Sequence, residues 1–418
     1  MRNIYSLKNG ITVVSEYIGY VHSVSLGVFV KGGSRAEDRG LAGISHMIEH
    51  MLFKGTKKRS AQDIAEEIDM VGGNLNAYTT KEYTCYYVKA LDSHLDLAAD
   101  VLSDMLMQSR LDTADIDLER RVVTEEIYMC DDTPEDLVHD MIMQAAWGSQ
   151  SGLGDSVIGT VDTLSRMDQT TLRTYISENY TANNIVISVV GNFDNGNLRN
   201  ILEEYFGEWQ TASKDVHFAG EVYAGGAEFA VRDIQQAHVC LGFKSYAAQD
   251  DNSYSLMAFN NIFGGGMSSA LFQKVREEKG LVYSIYSYLN MFVDTGMFVI
   301  SASMSPENVR EVLDIVYSEI DIAKNETLSD KMLYKAKEQL KGNYILGLES
   351  TSSRMQGMGR AQLLHGKART PEENISIIEN ISAQTMRRAI DETFNYDNLT
   401  IAAIGSLESE EKDYYLNG

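Results

Sequence analysis

Apolar and polar residues alternate through the first 30 positions in the way that predicts β-strands. Residues 3–7 and 11–16 flank Asn9-Gly10, a dipeptide that favours a two-residue hairpin turn of type I′. A third alternating segment, residues 22–30, predicts another strand. The chain therefore begins as a sheet.

The apolar spacing changes to that of helices after residue 40. It predicts helices over 41–54 and 60–71, and the second begins at Ser60 with Asp63 in the position of a capping box. The pattern then predicts two strands followed by two helices, over 74–79, 83–90, 92–108 and 113–131.

An internal repeat appears at an offset of 214 positions. Six residues recur at that offset: Thr171, Arg173, Ile176, Asn184, Ile187 and Gly191 match Thr385, Arg387, Ile390, Asn398, Ile401 and Gly405. The pair Leu26-Gly27 also recurs, one position further on, as Leu241-Gly242. A long period present twice predicts two homologous α+β domains, 1–212 and 227–418. We expect each to be a mostly antiparallel sheet with helices packed on one face.

Charge and cysteine content restrict the partners and the compartment. The 418 residues include 36 Lys and Arg against 60 Asp and Glu, a net charge of −24. This charge disfavours nucleic acid and anionic membranes as partners, because both are bound through clustered cations. The three cysteines have no disulfide or metal spacing, and no apolar run is long enough to span a membrane. We therefore expect a cytoplasmic protein.

Residues 46–50 read His-Met-Ile-Glu-His, which gives the strongest chemical signal in the chain. On a helix, His46, Glu49 and His50 share one face. Two imidazoles one turn apart can bind zinc, and the carboxylate beside them can accept a proton from water. This HxxEH order is a zinc-peptidase signature. The alternative is a pair of capping or surface histidines on an amphipathic helix.

A zinc ion would need a third protein ligand, which the helix over 113–131 can supply. Glu119 and Glu126 lie two turns apart and share a face, whereas Glu125 points about 100° away. Either Glu119 or Glu126 could be the ligand, with the other supporting it. Taken alone, these glutamates could also be one solvated acidic face of a very acidic protein.

These motifs resemble the pitrilysin/insulinase family of zinc peptidases, and in particular its short-chain branch. That branch includes the mitochondrial processing peptidase β-subunit and bacterial homologues. The resemblance implies that His46, His50 and Glu126 bind Zn²⁺. It also implies that Glu49 is the general base and that Glu119 supports the centre from outside the ligand set.

The second half of the chain is similar to the same family. Its glycine-rich loop corresponds to Gly264, Gly265 and Gly266, and implies contact with substrate. The resemblance also implies that Arg276 holds a substrate carbonyl and that Tyr283 donates to the developing oxyanion.

The segment around Asn76 and Ala77 resembles the edge strand on which substrate lies in that family, held by main-chain hydrogen bonds. Relatives of double length enclose a chamber. The resemblance therefore implies peptides or unfolded segments as substrates and a homodimer whose sites are completed across its interface.

The repeat gives an independent check on the metal residues. The positions equivalent to the proposed metal set in the second half carry other residues: Asn260, Phe263, Gly264, Leu333 and Leu340. A catalytic role for the first half predicts that one half of the chain carries the metal residues and the other half lacks them. The alternatives are a non-catalytic structural subunit and a catalytic half that pairs with an inactive homologue.

Overall fold

A computed structural model describes residues 2–149, 151–211, 215–218 and 220–407. In these residues the strands form two sheets. The strands are β1 (Arg2–Ser6), β2 (Thr12–Tyr17), β3 (Ser23–Lys31), β4 (Asn74–Thr79), β5 (Tyr83–Leu91), β6 (Ile185–Gly191), β7 (Gly226–Val231), β8 (Ala237–Ser245), β9 (Val282–Met291), β10 (Gly296–Met304) and β11 (Leu399–Gly405).

The helices alternate irregularly with the strands, as expected for an α+β protein. They are α1 (Ile44–Leu52), α2 (Ala61–Asp69), α3 (Leu95–Gln108), α4 (Thr113–Asp131), α5 (Pro134–Trp147), α6 (Val161–Leu164), α7 (Gln169–Asn179), α8 (Leu198–Phe206), α9 (Asn252–Phe263), α10 (Val309–Asn325), α11 (Asp330–Gly347), α12 (Thr351–His365), α13 (Pro371–Glu379) and α14 (Ala383–Thr393). A π-helical segment, Phe272–Glu278, precedes β9.

The first sheet has the strand order β1-β2-β6-β3-β5-β4. Its neighbouring strands are antiparallel, except that β2 and β6 are parallel. The strand β4 lies at one edge of this sheet, next to β5.

The second sheet repeats this plan with the order β7-β11-β8-β10-β9, in which β7 and β11 are the parallel pair. Each strand of the second sheet has a counterpart at the same place in the first, which has β1 in addition. The predicted α+β class with two homologous, mostly antiparallel domains is confirmed.

The predicted element bounds are close to the observed ones, and α4 coincides with 113–131. The predicted cap of α2 is present, since Ser60 Oγ accepts a hydrogen bond from Asp63 N while the Asp63 carboxylate accepts one from Ser60 N. The first helix is shorter than predicted, 44–52 instead of 41–54, because residues 39–41 form a 3₁₀ turn.

The first hairpin is present, but the predicted type I′ turn is wrong. A type I′ turn needs positive φ at both central residues, and φ is positive at Gly10 (+97°) but not at Asn9. Gly10 N donates to Leu7 O over 3.0 Å, which makes a longer loop. The Asn9 side chain accepts a hydrogen bond from Ile11 N and donates one to Phe206 O. These bonds hold Asn9 in the observed loop, in which its φ is not positive as a type I′ turn would require.

The described residues cluster into two compact units. The first takes its residues from Met1–Ile127, Ser156–Ala219 and Leu346–Arg369, and the second from Tyr128–Asp155, Gly220–Ile345 and Thr370–Gly418. These units differ from the predicted ranges 1–212 and 227–418 in two segments. The helix α5, from the first half of the sequence, packs on the second sheet, and α12, from the second half, packs on the first sheet. Each sheet therefore carries one helix on the face opposite its main helical layer.

Close packing of these two helices explains why the Leu-Gly pair is repeated. In β3, a Cβ at Gly27 would lie 2.2 Å from Met355 Sδ of α12. In β8, a Cβ at Gly242 would lie 2.8 Å from Met297 Sδ of the neighbouring strand β10 and 3.3 Å from Ile142 of α5. The leucine before each glycine points to the opposite face and joins the main core of its unit. The repeated glycines thus leave room for a helix.

The repeated arginine also has one structural role in both units. Arg173 on α7 donates to Arg110 O, just beyond the end of α3. Arg387 on α14 donates to carbonyls at the end of α10, among them Ala323 O and Lys324 O. Each arginine thus donates to carbonyl groups near the end of a helix, and those bound by Arg387 are among the carbonyls that the end of α10 leaves without helical partners.

Among the residues that the structure describes, no helix is both long and apolar enough to cross a membrane.

Candidate metal centre

The orientation of α1 determines where the HxxEH residues point. Its apolar residues are fully buried: Ile44, Met47, Ile48, Met51 and Leu52. Burial of each such side chain contributes about 1.5–3 kcal/mol, so this face stays on the core. His46, Glu49 and His50 occupy the opposite face, as the helical spacing predicts.

A carboxylate fixes the beginning of α1. Glu37 accepts hydrogen bonds from Gly43 N (2.6 Å) and Ser45 N (2.8 Å), two amide groups that the first helical turn cannot satisfy. Burial raises the pKa of Glu37 from 4.5 to about 7, although both hydrogen bonds act in the opposite direction. Glu37 thus positions the helix that carries the motif.

The structure brings His46, His50 and Glu126 into one group, with one donor atom from each lying within 4.8 Å of the others. Glu126 Oε2 lies 3.8 Å from His46 Nε2 and 3.6 Å from His50 Nε2. Ligands about 2.1 Å from a zinc ion at tetrahedral angles lie about 3.4 Å apart. Two imidazoles and one carboxylate at these spacings fit zinc, and leave a fourth position for water or substrate.

The surroundings of the two imidazoles suit metal binding. Burial, together with the nearby His50, lowers the pKa of His46 to about 4, so this ring is neutral at neutral pH. His50 Nδ1 lies 3.1 Å from Glu119 Oε2. A carboxylate can only accept, so we assign the proton to Nδ1, which leaves the Nε2 lone pair facing Glu126.

The sequence left open whether Glu119 or Glu126 would be the ligand. In the structure, Glu126 meets the two Nε2 atoms, whereas Glu119 contacts the opposite nitrogen of His50. The Glu119 side chain is 3% exposed, compared with 35% for Glu126. The two glutamates therefore have different environments although they share a helix face.

Glu49 faces a strand instead of joining the donor group. Thr79 Oγ1, at the end of β4, donates to Glu49 Oε2 over 2.5 Å. The same hydroxyl lies 3.2 Å from Thr84 Oγ1 on β5, its cross-strand neighbour. Burial raises the pKa of Glu49, and the bond from Thr79 opposes that rise. Sequence reasoning missed Thr79, although it ends the strand that contains Asn76 and Ala77.

A short segment connects this strand to α1. Arg35 forms a buried ion pair with Glu82 (2.5 Å), and Arg35 N donates to Lys81 O. These contacts hold the turn between β4 and β5, while Glu37, two residues further on, holds the start of α1. The segment therefore fixes the positions of Thr79 and Glu49 relative to each other.

The predicted substrate strand is the edge strand β4. Asn76 is exposed, and its Oδ1 accepts a hydrogen bond from Ala77 N over 2.8 Å. At this edge of the sheet the Ala77 N–H group takes no part in the β-ladder, and the Asn76 side chain accepts its hydrogen bond instead.

The other predicted residues lie in the second unit. Gly264, Gly265 and Gly266 line a hollow of about 400 Å³ together with Arg276. The Arg276 guanidinium lies 5.5 Å from the centre of the Tyr283 ring, and Tyr283 is 74% exposed. Arg276 and Tyr283 are therefore neighbours on a surface of this unit, where their polar atoms can reach a ligand.

Comparison with known families gives two adjoining matches. Residues 12–161 match the family described as insulinase (peptidase family M16), and residues 166–340 match the peptidase M16 inactive domain. The first match contains all three members of the donor group. The second begins in the first half of the sequence and includes residues 227–340 of the repeat copy that lacks the metal residues.

The chain is also similar to curated proteins and to solved structures. It is 39% identical over 393 residues to a Bacillus subtilis protein named uncharacterized zinc protease YmxG, covering 94% of this chain and 96% of that protein. It is 38% identical over 391 residues to a Streptomyces coelicolor protein also named uncharacterized zinc protease, covering 91% of this chain and 85% of that protein. A protease structure from Helicobacter pylori has a TM-score of 0.90 at 22% identity, covering 97% of this chain and 99% of that one. At that identity the likeness shows the fold alone.

Proposed function

The chain belongs to the insulinase family of peptidases, M16, and on that premise we propose that it is a zinc-dependent endopeptidase using the HxxEH motif. The observation that carries the proposal is the convergence of His46, His50 and Glu126, with Glu49 on the same helix face. The zinc-protease names of relatives that match over nearly their whole length support it.

The residues of this centre would each do separate work. His46, His50 and Glu126 would hold the ion, and Glu119 would keep the Nδ1 proton on His50. When bound, zinc would act as a Lewis acid that lowers the pKa of water and polarises a carbonyl group.

Glu49 is the general base of the proposed reaction. It takes a proton from water as the water attacks the scissile carbonyl carbon, and then delivers that proton to the leaving amine. Thr79 holds one oxygen of Glu49, so the other oxygen is available for this transfer. Burial of Glu49 raises its pKa, which makes the carboxylate a better proton acceptor than an exposed glutamate.

The substrate class follows from the edge strand. We propose that an extended peptide adds to β4 as a further strand. A carbonyl group of the peptide would then accept the hydrogen bond from Ala77 N that the Asn76 side chain accepts in this structure. Only a peptide or an unfolded segment can lie as an added strand. We further propose that Arg276 and Tyr283 bind the carbonyl group and the oxyanion of the substrate.

We also propose a cytoplasmic homodimer in which two copies form a closed chamber. The family resemblance supports the chamber, and the three free cysteines suit a reducing compartment. A dimer would let the second unit of one copy serve the metal centre of the other.

The proposal is tested by measuring zinc content and cleavage of a fluorogenic peptide in four proteins. The wild type should bind one zinc and cleave the peptide. Glu49→Gln should keep zinc and lose activity, and Glu126→Gln should lose both. Glu125→Gln removes the same charge from an exposed neighbour on α4 and should change neither.

Two results would contradict the proposal. Wild-type protein without stoichiometric zinc would show that the proposed metal centre does not bind zinc. Full activity in Glu49→Gln would show that Glu49 is not the general base. Zinc binding without cleavage of any peptide would instead favour the alternative of a structural subunit, or of a catalytic half that needs a different partner.

A further inference from the structure

Lys54 lies one helical turn beyond His50, and both side chains reach the same carboxylate. Lys54 Nζ is 2.6 Å from Glu119 Oε1, and His50 Nδ1 is 3.1 Å from Glu119 Oε2. The two oxygens of Glu119 are thus shared between a cation and a metal-binding imidazole. Each of these contacts joins the segment around α1 to α4.

The environment of Glu119 makes its cationic partner important. Its side chain is 3% exposed, and among the residues that the structure describes, Lys54 is the lysine or arginine paired with it. A buried carboxylate without a partner is strongly disfavoured. Lys54 remains 32% exposed, so its ammonium group can neutralise Glu119 while it keeps part of its own hydration.

We propose that Lys54 is a positioning residue of the metal centre, which acts through Glu119 on His50. The ion pair holds Glu119 Oε1, and this leaves Oε2 pointing at His50 Nδ1. His50 is then kept in the tautomer and ring orientation in which Nε2 faces Glu126. This inference rests on the proposed function, because it assumes that the group formed with His46 binds zinc.

The expected effect follows from how such contacts support metal ligands. Hydrogen bonds to the far nitrogen of a ligating histidine typically contribute a factor of about 10–100 in metal affinity. Without Lys54, no ion pair holds Glu119 Oε1, so Oε2 is no longer fixed on His50 Nδ1. We therefore expect Lys54→Met to weaken zinc binding about tenfold or more.

The experiment measures zinc affinity of the apoprotein by competition with a chromophoric chelator, so it does not depend on activity. Lys54→Met keeps the length of the side chain and removes the charge. Lys54→Arg keeps the charge and should stay within about threefold of the wild type. Lys57→Met is the matched control, since Lys57 is exposed and bonds to Gln108 instead of Glu119.

A double-mutant cycle with Glu119→Gln identifies the route of the effect. If Lys54 acts through Glu119, Lys54→Met should add little to the loss that Glu119→Gln already causes. Fully additive losses, or an arginine variant as weak as the methionine variant, would overturn the inference. So would wild-type affinity in Lys54→Met.

Two measurements separate this inference from its premises. Thermal unfolding of each apoprotein shows whether a variant is folded, and Lys54→Gln, which also removes the charge, gives the answer if Lys54→Met does not fold. Wild-type protein that binds no zinc would overturn the proposed function itself. Wild-type protein that binds zinc as tightly as Lys54→Met would overturn the role of Lys54 alone.

Discussion

The bond between Thr79 and Glu49 makes a specific prediction about catalysis. Thr79→Val replaces the hydroxyl with a methyl group of similar volume, so the packing at the end of β4 is retained. The change removes the donor that lies 2.5 Å from Glu49 Oε2. It leaves His46, His50 and Glu126 untouched.

The size of the effect can be worked out from this contact. A hydrogen bond to a charged group contributes about 1.5–3 kcal/mol. At about 1.4 kcal/mol for each tenfold change in rate, complete loss of its orienting effect would lower kcat by about 10- to 150-fold. Water can replace part of the lost bond, so we expect a decrease near the lower end, about tenfold.

The assay compares kcat, KM and zinc content for a fluorogenic peptide. Thr79→Val should lower kcat with little change in KM or zinc content, because the residue orients the base and does not hold the ion. Thr79→Ser keeps the hydroxyl and should restore most of the activity. Thr84→Val removes the more distant hydroxyl, 3.2 Å from Thr79 Oγ1, and should cost less than about threefold.

Three outcomes would refute this reasoning. A kcat within twofold of the wild type would show that Thr79 does not orient Glu49. Loss of zinc in Thr79→Val would show that the residue supports the metal group instead. An equal loss in Thr79→Ser would show that the methyl group matters and the hydroxyl does not.

Three further predictions concern packing, pH and assembly. Gly359→Ala should destabilise the protein by about 2 kcal/mol or more in chemical unfolding, since its Cβ would lie 2.1 Å from a phenylalanine ring. Gly357→Ala on the same helix, with open space around it, should stabilise by about 0.5–1 kcal/mol. The pKa of Glu37, raised to about 7, means that the folded state keeps a proton that the unfolded state loses between pH 4.5 and 7. Stability relative to Glu37→Gln should therefore fall as pH rises through that window, and a constant difference would contradict this. Mixing inactive Glu49→Gln with inactive Tyr283→Phe should restore part of the activity if sites are shared between copies, whereas no rescue would oppose sharing.

Local periodicity was sufficient to predict the parts of the centre that lie on single helices. The spacing of residues 46–50 predicts one shared face, and α1 has that face opposite its buried residues. The spacing of Glu119 and Glu126 predicts that both point the same way, and both reach the neighbourhood of His50. The repeat likewise predicted the second sheet, because its strands follow the first at nearly constant offset.

The partners that complete the centre were not predictable in this way. The pairing of Thr79 with Glu49 joins residues 30 positions apart, and that of Lys54 with Glu119 joins residues 65 positions apart. Which glutamate meets the imidazoles depends on how α4 packs against α1. The spacing of residues along a single helix does not specify how two helices are placed relative to each other. The turn at Asn9 was missed for a related reason, since a distant carbonyl at Phe206 binds its side chain.

The sequence by itself determined the two-fold repeat, the α+β class and the face on which the zinc-peptidase motif lies. These depend on the periods of strands and helices, which each segment carries alone. Only the tertiary structure decided that α5 and α12 each cover the sheet formed mainly by the other half of the chain. Only it separated the environments of Glu119 and Glu126. An amphipathic helix specifies that its apolar face must be buried, but the surface that buries it is selected by the packing of the whole unit.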